Sequence, residues 1–545
     1  MKRYISFFMV NALCCVALFG QNNPMDNNPM DYVYVARSFG LSQQNREGTA
    51  RSVAMGNAFT ALGGDMGSIS INPASSAVYR YSEFSVTPSI TNAGYNSTYA
   101  GGYSNSGNLT RFGISNAGFI GSFETGRSSR GLVRWSLGVV LNKQNNLTYS
   151  IGANGRNGNY SWLQSLAEQT NSIDSREMDI NSHQDPFLTF GAKHWGSILG
   201  WNTTLLSLLP NTTDQYIAAT ENMYNRGVDS QGNQNVDIMV GGTLDQNFLK
   251  ERRGSVTSAT VNFGGNISNI FYFGINLEAK SVYEKINISI AENAVNSRDF
   301  DSGFESFGYG YEHKTFGTGL EIKAGFIFTP SPFFRLGGSI ASPTYYWLTE
   351  RYSSAMRSAF NDGYSQLIFT PEGEYDYTLQ SPFSFSLGAA GVIPGIGVIS
   401  ADYEMIDYSS MRLREVGGRA GSFAIDNADI KEIYKAQHIF RVGLELTPIK
   451  EMAVRAGFQH YSNPYKNPKF TELDTYIVSA SRESTNIVSA GLGYNHSSGF
   501  FMDAAFQTTV GKDEKSGAIY DGPNAPIVNY KTNCWKLLFT FGFRF

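Results

Sequence analysis

The chain has 545 residues, a net charge of −4, 16% charged and 14% aromatic residues, and 57 glycines. Its length exceeds one ordinary globular core, which leaves several domains or one large barrel. The mildly acidic balance gives no case for nucleic acid or another polyanionic partner, and aromatic girdles with small residues at tight strand crossings would use this composition.

Residues 1–20 read as a secretory signal. Lys2 and Arg3 form a basic start, the mostly apolar run Tyr4–Phe19 is too short for a spanning helix, and Gly20-Gln21 offers a cleavage point. A lipid anchor at Cys14 or Cys15 is the rival reading, although the residues before either cysteine fit it poorly. Cleavage leaves Cys534 alone, so no intrachain disulfide staples the exported chain. No later stretch approaches about eighteen consecutive apolar residues, so no helix spans a membrane, whereas a closed barrel still can.

Residues 21–82 form a linker followed by a compact segment. Gln21–Gln44, Asn- and Pro-rich near its start, is expected to be loosely ordered. Gly48–Tyr79 is rich in Gly, Ala and Ser, with Arg51 and Asp65 as the ionised groups between Gly48 and Ala77. A short helix is expected over Arg51–Leu62, with Val53, Ala54, Phe59 and Leu62 on one side and Gly63-Gly64-Asp65 turning the chain.

From Glu83 to Phe545 the period is two. In the last segment Trp535, Leu537, Phe539, Phe541, Phe543 and Phe545 face one way; Lys536, Thr540, Gly542 and Arg544 face the other, with Leu538 the exception. A soluble edge strand would not carry so many exposed Phe residues, but a lipid-facing strand would. Similar alternation recurs at Val133–Leu141, Phe271–Leu277, Leu320–Phe328, Phe440–Leu446 and Val454–Phe458. The count is about fourteen strands, the even number of a bacterial barrel. Short turns near Ser268-Asn269, Thr329–Pro332, Pro394-Gly395, Pro448–Lys450 and His496–Gly499 alternate with long polar excursions. The long ones are Thr91–Asn108, Gln144–Gly254, Ala291–Gly310, Arg351–Tyr377, Arg412–Ala436, Tyr461–Ser481 and Gly511–Tyr530. The predicted class is therefore all-β: a transmembrane antiparallel barrel of about fourteen strands over residues 83–545, with a large extracellular loop at about 144–254.

If the apolar face meets lipid, Glu278, Lys280, Glu321 and Lys323 point inward at a similar height, and Arg441, Glu445 and Arg455 form a second inward cluster. They either pair across strands and brace the wall or contact the plug and steer a ligand. A barrel this wide leaves a hole unless something fills it, and the Gly48–Tyr79 segment is the candidate plug. Within the large loop, Phe187, Phe190, Trp195, Trp201, Leu205 and Leu208 make an apolar patch. It is either a small loop core or a landing groove for an apolar substrate. The six histidines show no metal-ligand spacing and no nucleophile motif appears, so neither metal nor cofactor is expected. His183 and His460 are candidates for barrel-enzyme chemistry only by default, and the chain is read as a non-enzyme.

The run Ala54-Met55-Gly56-Asn57-Ala58-Phe59-Thr60-Ala61 with Ile71-Asn72-Pro73-Ala74 resembles the amino-terminal hatch of FadL/TodX-type outer-membrane transporters. Arg335–Pro343, Phe383–Tyr408 and Phe440–Tyr461 resemble that family's carboxy-terminal strands, and the large loop departs from it. The resemblance implies passive uptake of hydrophobic small molecules such as long-chain fatty acids or aromatic hydrocarbons. Binding would begin at an external groove, continue at a lumen site against the hatch, and end with sideways exit through a gap in the wall. It carries over Asn72, Pro73 and Ala74 as hatch residues, and Met55 and Phe59 lie in the same matched run. A monomer in outer-membrane lipid, inserted by the barrel-assembly machinery, is expected; the terminal Phe545 suits that machinery's substrates. The alternative is a barrel-anchored binding or adhesion protein acting through the 144–254 loop.

Overall fold

The computed structural model describes residues 32–99, 102–127, 129–228, 234–417, 422–466, 484–510, 514–518 and 526–545. The signal reading, with Cys14 and Cys15, lies outside them, as do most of Tyr461–Ser481 and part of Gly511–Tyr530.

Fourteen antiparallel staves close into one barrel. In chain order the strand segments are β1 (Glu83–Tyr99), β2 (Tyr103–Glu124), β3 (Leu132–Asn146), β4 (Tyr149–Asn157), β5 (Leu244–Ile267) and β6 (Phe271–Ala294). They continue as β7 (Phe304–Ser331), β8 (Phe334–Ala341), β9 (Tyr345–Phe360), β10 (Gly373–Gln380), β11 (Ser384–Ile393) and β12 (Gly397–Asp407). The last are β13 (Arg412–Glu415), β14 (Ala436–Ile449), β15 (Met452–Tyr461), β16 (Thr485–Asn495), β17 (Phe500–Val510) and β18 (Ile527–Arg544). Pairs β3/β4, β8/β9, β10/β11 and β12/β13 are each one interrupted stave. β18 pairs with β1, Glu83 opposite Arg544, and that seam closes the ring.

The alternation read from the sequence is the alternation of the wall. Leu137, Val139, Leu141, Ile275, Leu277, Leu320, Ile322, Val442, Phe539, Phe541 and Phe543 all lie exposed on the outer surface. Phe123 stacks on Trp135 with ring centroids 4.4 Å apart, and Phe271 stacks on Phe326. Ser268 and Asn269 both take positive φ, the backbone of a two-residue turn that follows strand twist.

Several expected loops are strand instead. Thr91–Asn108, Ala291–Gly310 and Arg351–Tyr377 extend the wall, and β7 runs for 28 residues where about 9–11 cross a bilayer. In these upper reaches the outward residues are polar (Ser104, Ser106, Asn108 and Thr110 on β2). Strand hydrogen bonds persist there while the alternation that reveals them does not. For the same reason the loop expected at 144–254 is shorter: β4 and β5 claim both ends, leaving residues 158–243 as an insertion.

Among the described residues two α-helices precede the barrel, α1 (Tyr32–Ser42) and α2 (Ala50–Ala54). The Gln21–Gln44 linker is thus helical over α1, which is enclosed by the wall. Phe39 stacks on Tyr434 at 4.9 Å, and Tyr34 meets Tyr377 edge-on at 5.4 Å. No single apolar stripe marks α1 because protein surrounds it. The helix expected over Arg51–Leu62 stops at Ala54, since Gly56 and Asn57 both turn to positive φ. That turn lays Gly56 against the backbone of Phe458, and seating on the wall overrides helical propensity.

Of the insertion, residues 158–228 and 234–243 form a cap at the barrel mouth, built on α3 (Trp162–Thr170) and α4 (Trp195–Asn202). Its core is continuous with the inner wall. Trp162 stacks on Phe307 and Tyr309, and Leu163, Ile198, Leu199 and Leu205 are fully buried among the same cluster. Among the described residues no helix is long and apolar enough to cross a membrane, which says nothing of strands.

Candidate functional site: hatch seat and wall break

Residues 48–79 lie inside the barrel, and the wall receives them on glycines. A Cβ on Gly274 would lie 2.3 Å from Pro73 O; on Gly337, 2.1 Å from Thr60 O; on Gly443, 2.4 Å from Met55 O; on Gly457, 2.1 Å from Gly56 N. Hatch backbone therefore packs directly on strand backbone, which only a residue lacking Cβ permits. Apolar contacts fill what remains: Ala50, Val53 and Ala54 pack on Ala505 and Leu538. Leu538, the exception in the alternation from Trp535 to Phe545, is part of the hatch seat. Met55 and Phe59 are fully buried beside Ala390.

Asn72 is the central fastener. Its Oδ1 accepts from Ala74 N at 3.0 Å, capping the 3₁₀ turn Pro73–Val78, while its Nδ2 donates to Thr60 O at 2.6 Å and to Phe326 O at 2.9 Å. One amide thus joins two parts of the hatch and strand β7. Pro73 occupies the first turn, where its missing N–H costs nothing, and its carbonyl accepts from Asn262 Nδ2 at 2.9 Å. The Asn-Pro-Ala run is a packing and hydrogen-bonding unit with no reactive group.

The inward charges are all buried and all paired. Lys280 meets Glu321 at 2.5 Å, and Lys323 meets Glu321 at 3.3 Å and Glu278 at 3.4 Å while donating to the hatch carbonyl of Ser70 at 2.7 Å. Glu445 accepts from Arg455 at 2.6 Å and from the hatch Arg51 at 2.8 Å, and Arg441 meets Glu404, which also holds Arg46. Lys323 and Glu445 brace the wall and contact the hatch at once, whereas Lys280, Glu321 and Arg455 pair with wall residues. Arg51, Arg46 and Glu404 carry the hatch contact too. The sequence did not show the pairings Arg46–Glu404 and Arg51–Glu445, because the partners lie more than 300 positions apart.

A break interrupts the wall beside the hatch. β2 and β3 pair only from Glu124–Arg134 to Asn116–Asn142; above that point β3 bulges at Lys143–Asn145 and leaves β2. Its continuation β4 passes on the lumen side of β1, where Ser97 Oγ donates to Gly152 O at 2.5 Å. The edge of β2 that faces away from β1 has no strand partner from Phe112 to Ser115 among the described residues, and Phe112 and Ile114 are exposed outside. Glu47 spans this break from within. Its N–H donates to Lys143 O at 2.9 Å, and its carboxylate accepts from Ser115 Oγ at 2.7 Å, Lys536 Nζ at 2.7 Å and Lys143 Nζ at 3.2 Å. Burial alone would raise its pKa, but Lys536 and Lys143 outweigh it and hold the group at about 2.

The apolar patch, read as either a loop core or a landing groove, lies packed. Phe187, Trp195 and Leu205 are buried, and Phe190, Trp201 and Leu208 pack against the same cluster, so these six make the cap's core. An insertion of this length needs its own core, and the apolar residues are consumed in supplying it. His183 is exposed on the cap, whereas His460 pairs with Asn486 at 2.8 Å on the barrel wall, so the two do not meet. Among the described residues no group of His, Cys, Asp and Glu is placed to hold a metal ion.

No protein-family model matches the sequence, and no curated protein does. Solved structures do. A FadL homologue of Pseudomonas aeruginosa aligns with a TM-score of 0.51 and 10% identity over 92% of this chain and 99% of that one. A deletion mutant of the TodX monoaromatic hydrocarbon channel aligns at 0.50 and 10%, over 91% and 98%. The toluene transporter TbuX of Ralstonia pickettii aligns at 0.46 and 14%, over 93% and 100%. The chain therefore carries the FadL/TodX-type fold, a fourteen-stranded barrel closed from within by its own amino-terminal segment.

Proposed function

We propose that this protein is an outer-membrane channel for passive uptake of hydrophobic small molecules, working as a monomer in outer-membrane lipid. The observation that carries the reading is the wall break between β2 and β3, placed beside a lumen that the hatch otherwise obstructs. An apolar solute leaving through that break enters the bilayer without crossing the polar hatch, and the exposed Phe112 and Ile114 give it an apolar exit. Shifts of the hatch around Asn72-Pro73-Ala74, Met55 and Phe59 would set the width of the route, with Glu47 as the contact nearest the break. The inward charges Glu278, Lys280, Glu321, Lys323, Arg441, Glu445 and Arg455 hold the hatch in register.

Gly113 on β2 tests the reading: its Cβ position lies 3.1 Å from Lys143 Nζ at the break. Gly113→Trp is expected to lower toluene entry into protein-loaded liposomes at least tenfold with ionic conductance unchanged. Unchanged toluene entry would sink lateral exit.

A further inference from the structure

On the extracellular side of the hatch a cavity of about 260 Å³ opens between the chain entering the hatch, Gln43–Arg46, and the inner face of the wall from β14 to β18. That size is near the lower edge of the ~300–1,000 Å³ of small-molecule sites. Its lining departs from what a bare hydrocarbon would select. Gln43, Gln437, Gln459, Gln507, Thr485 and Thr509 present amides and hydroxyls, and Tyr408, Tyr461, Ile439 and Ile487 supply the apolar surface between them.

Two features narrow the ligand. First, the cations at the cavity already meet buried carboxylates: Arg46 holds Glu404 at 2.7 and 3.0 Å, and Lys536 holds Glu47 at 2.7 Å, each carboxylate being shared with a second cation, Arg441 and Lys143 respectively. A carboxylate entering here would have to compete for those cations with the buried Glu404 and Glu47 that already hold them. Second, hydrogen-bonding capacity is left over. The side-chain amides of Gln43 and Gln507 make no hydrogen bond among the described residues, although Gln507 is only 8% exposed. Gln459 uses its Oε1 to accept from Tyr461 OH at 2.9 Å, and Gln437 donates to Ser462 O at 2.8 Å, so the Gln459 NH₂ and the Gln437 oxygen keep capacity facing the cavity. Unspent donors and acceptors of both kinds match a group that itself both donates and accepts.

We infer that this cavity binds the neutral, hydroxylated head of an amphiphile, a sugar- or glycerol-like group, so that the molecule taken up is a neutral amphiphile rather than a bare hydrocarbon or a fatty carboxylate. The inference rests on the uptake reading for the tail's route, but the head site stands on the cavity. The amides hydrogen-bond the head and the tyrosine faces cover its C–H surface. Asn146 and Thr148, also in the lining, sit just above the β3 bulge, so the head is held next to the break through which a tail would pass.

Calorimetric titration of the full-length protein in amphipol, with amphipol alone subtracted, tests this using three eight-carbon probes: octyl β-glucoside below its micellar concentration, octanoate and octane. The glucoside is expected to bind at least tenfold more tightly than either other probe. Gln507→Leu should cost at least tenfold in glucoside affinity and leave octane unchanged. Gln43→Leu, outside the barrel wall, should do the same and serves where the first variant disturbs β17. Octanoate or octane binding as tightly as the glucoside, or both variants keeping glucoside affinity within twofold, overturns the proposal and makes the cavity a water-filled vestibule. Toluene entry into liposomes carrying the same protein separates the two readings: entry without glucoside preference sinks only the head site. Glucoside preference without entry sinks uptake and leaves the site standing.

Discussion

The hatch and the cap both fill the barrel's interior, and they are held by opposite means. The cap is held by apolar burial, with Trp162, Leu163, Ile198, Leu199 and Leu205 sunk into a cluster shared with the inner wall. The hatch is held by backbone-on-backbone contact at wall glycines, by hydrogen bonds such as those of Asn72, and by ion pairs from Glu47, Arg46 and Arg51. Apolar burial is non-directional and is lost only when the surface re-enters water. Short polar contacts have few alternatives within an ångström or two, and separating a buried pair without a new partner leaves a buried charge or an unsatisfied donor. On the proposed function, a hatch held this way would shift as a body, exchanging one set of partners for another, while the cap stays in place.

Gly337→Val should break the comparison most severely. Its Cβ would fall 2.1 Å from Thr60 O, where neither backbone has room to move. Single-channel conductance in planar bilayers is expected to rise at least tenfold as the hatch is expelled, with the cap still protease-resistant. Unchanged conductance would mean that the seat is not what obstructs the pore. Trp162→Ala should do the reverse: removing a fully buried Trp costs roughly 3–5 kcal/mol, so limited proteolysis should clip residues 158–243 while conductance stays low. A coincident rise in conductance would show that cap and hatch are one cooperative unit.

The smallest effect expected is one of pH. Glu47 titrates at about 2 in the seated hatch against an ordinary value near 4.5, a difference on the order of 3 kcal/mol. Because the seated value is depressed, the contribution is present in full above about 4.5 and is lost as pH falls toward 2. Conductance should therefore become noisier below pH 4.5, and Glu47→Gln should remove that dependence. Noise that persists in the variant would place the sensitive group elsewhere.

Much of the wall was legible because lipid-facing and inward residues alternate, as in Trp535–Phe545. The plug was legible because Gly48–Tyr79 is the stretch that does not alternate. Leu538 was a visible exception whose meaning needed the hatch residues it touches. The upper wall was hidden: once the outward side chains are polar, strand and loop read alike. The aromatic patch from Phe187 to Leu208 was visible as apolar, but its burial depended on Phe307, Tyr309 and other wall residues far away in the chain.

The sequence by itself determined the barrel, its strand number and the presence of an internal plug, since these follow from local period, length and composition. Tertiary structure alone decided which glycines form the seat, that α1 lies enclosed in the lumen, where β3 leaves the wall, and that amides line the cavity above the hatch. Each of those depends on pairs of residues separated by tens to hundreds of positions, such as Glu47 with Lys536 or Arg46 with Glu404. No local pattern encodes such a pair. It exists only once the ring closes and sets the register of every stave against the segment inside.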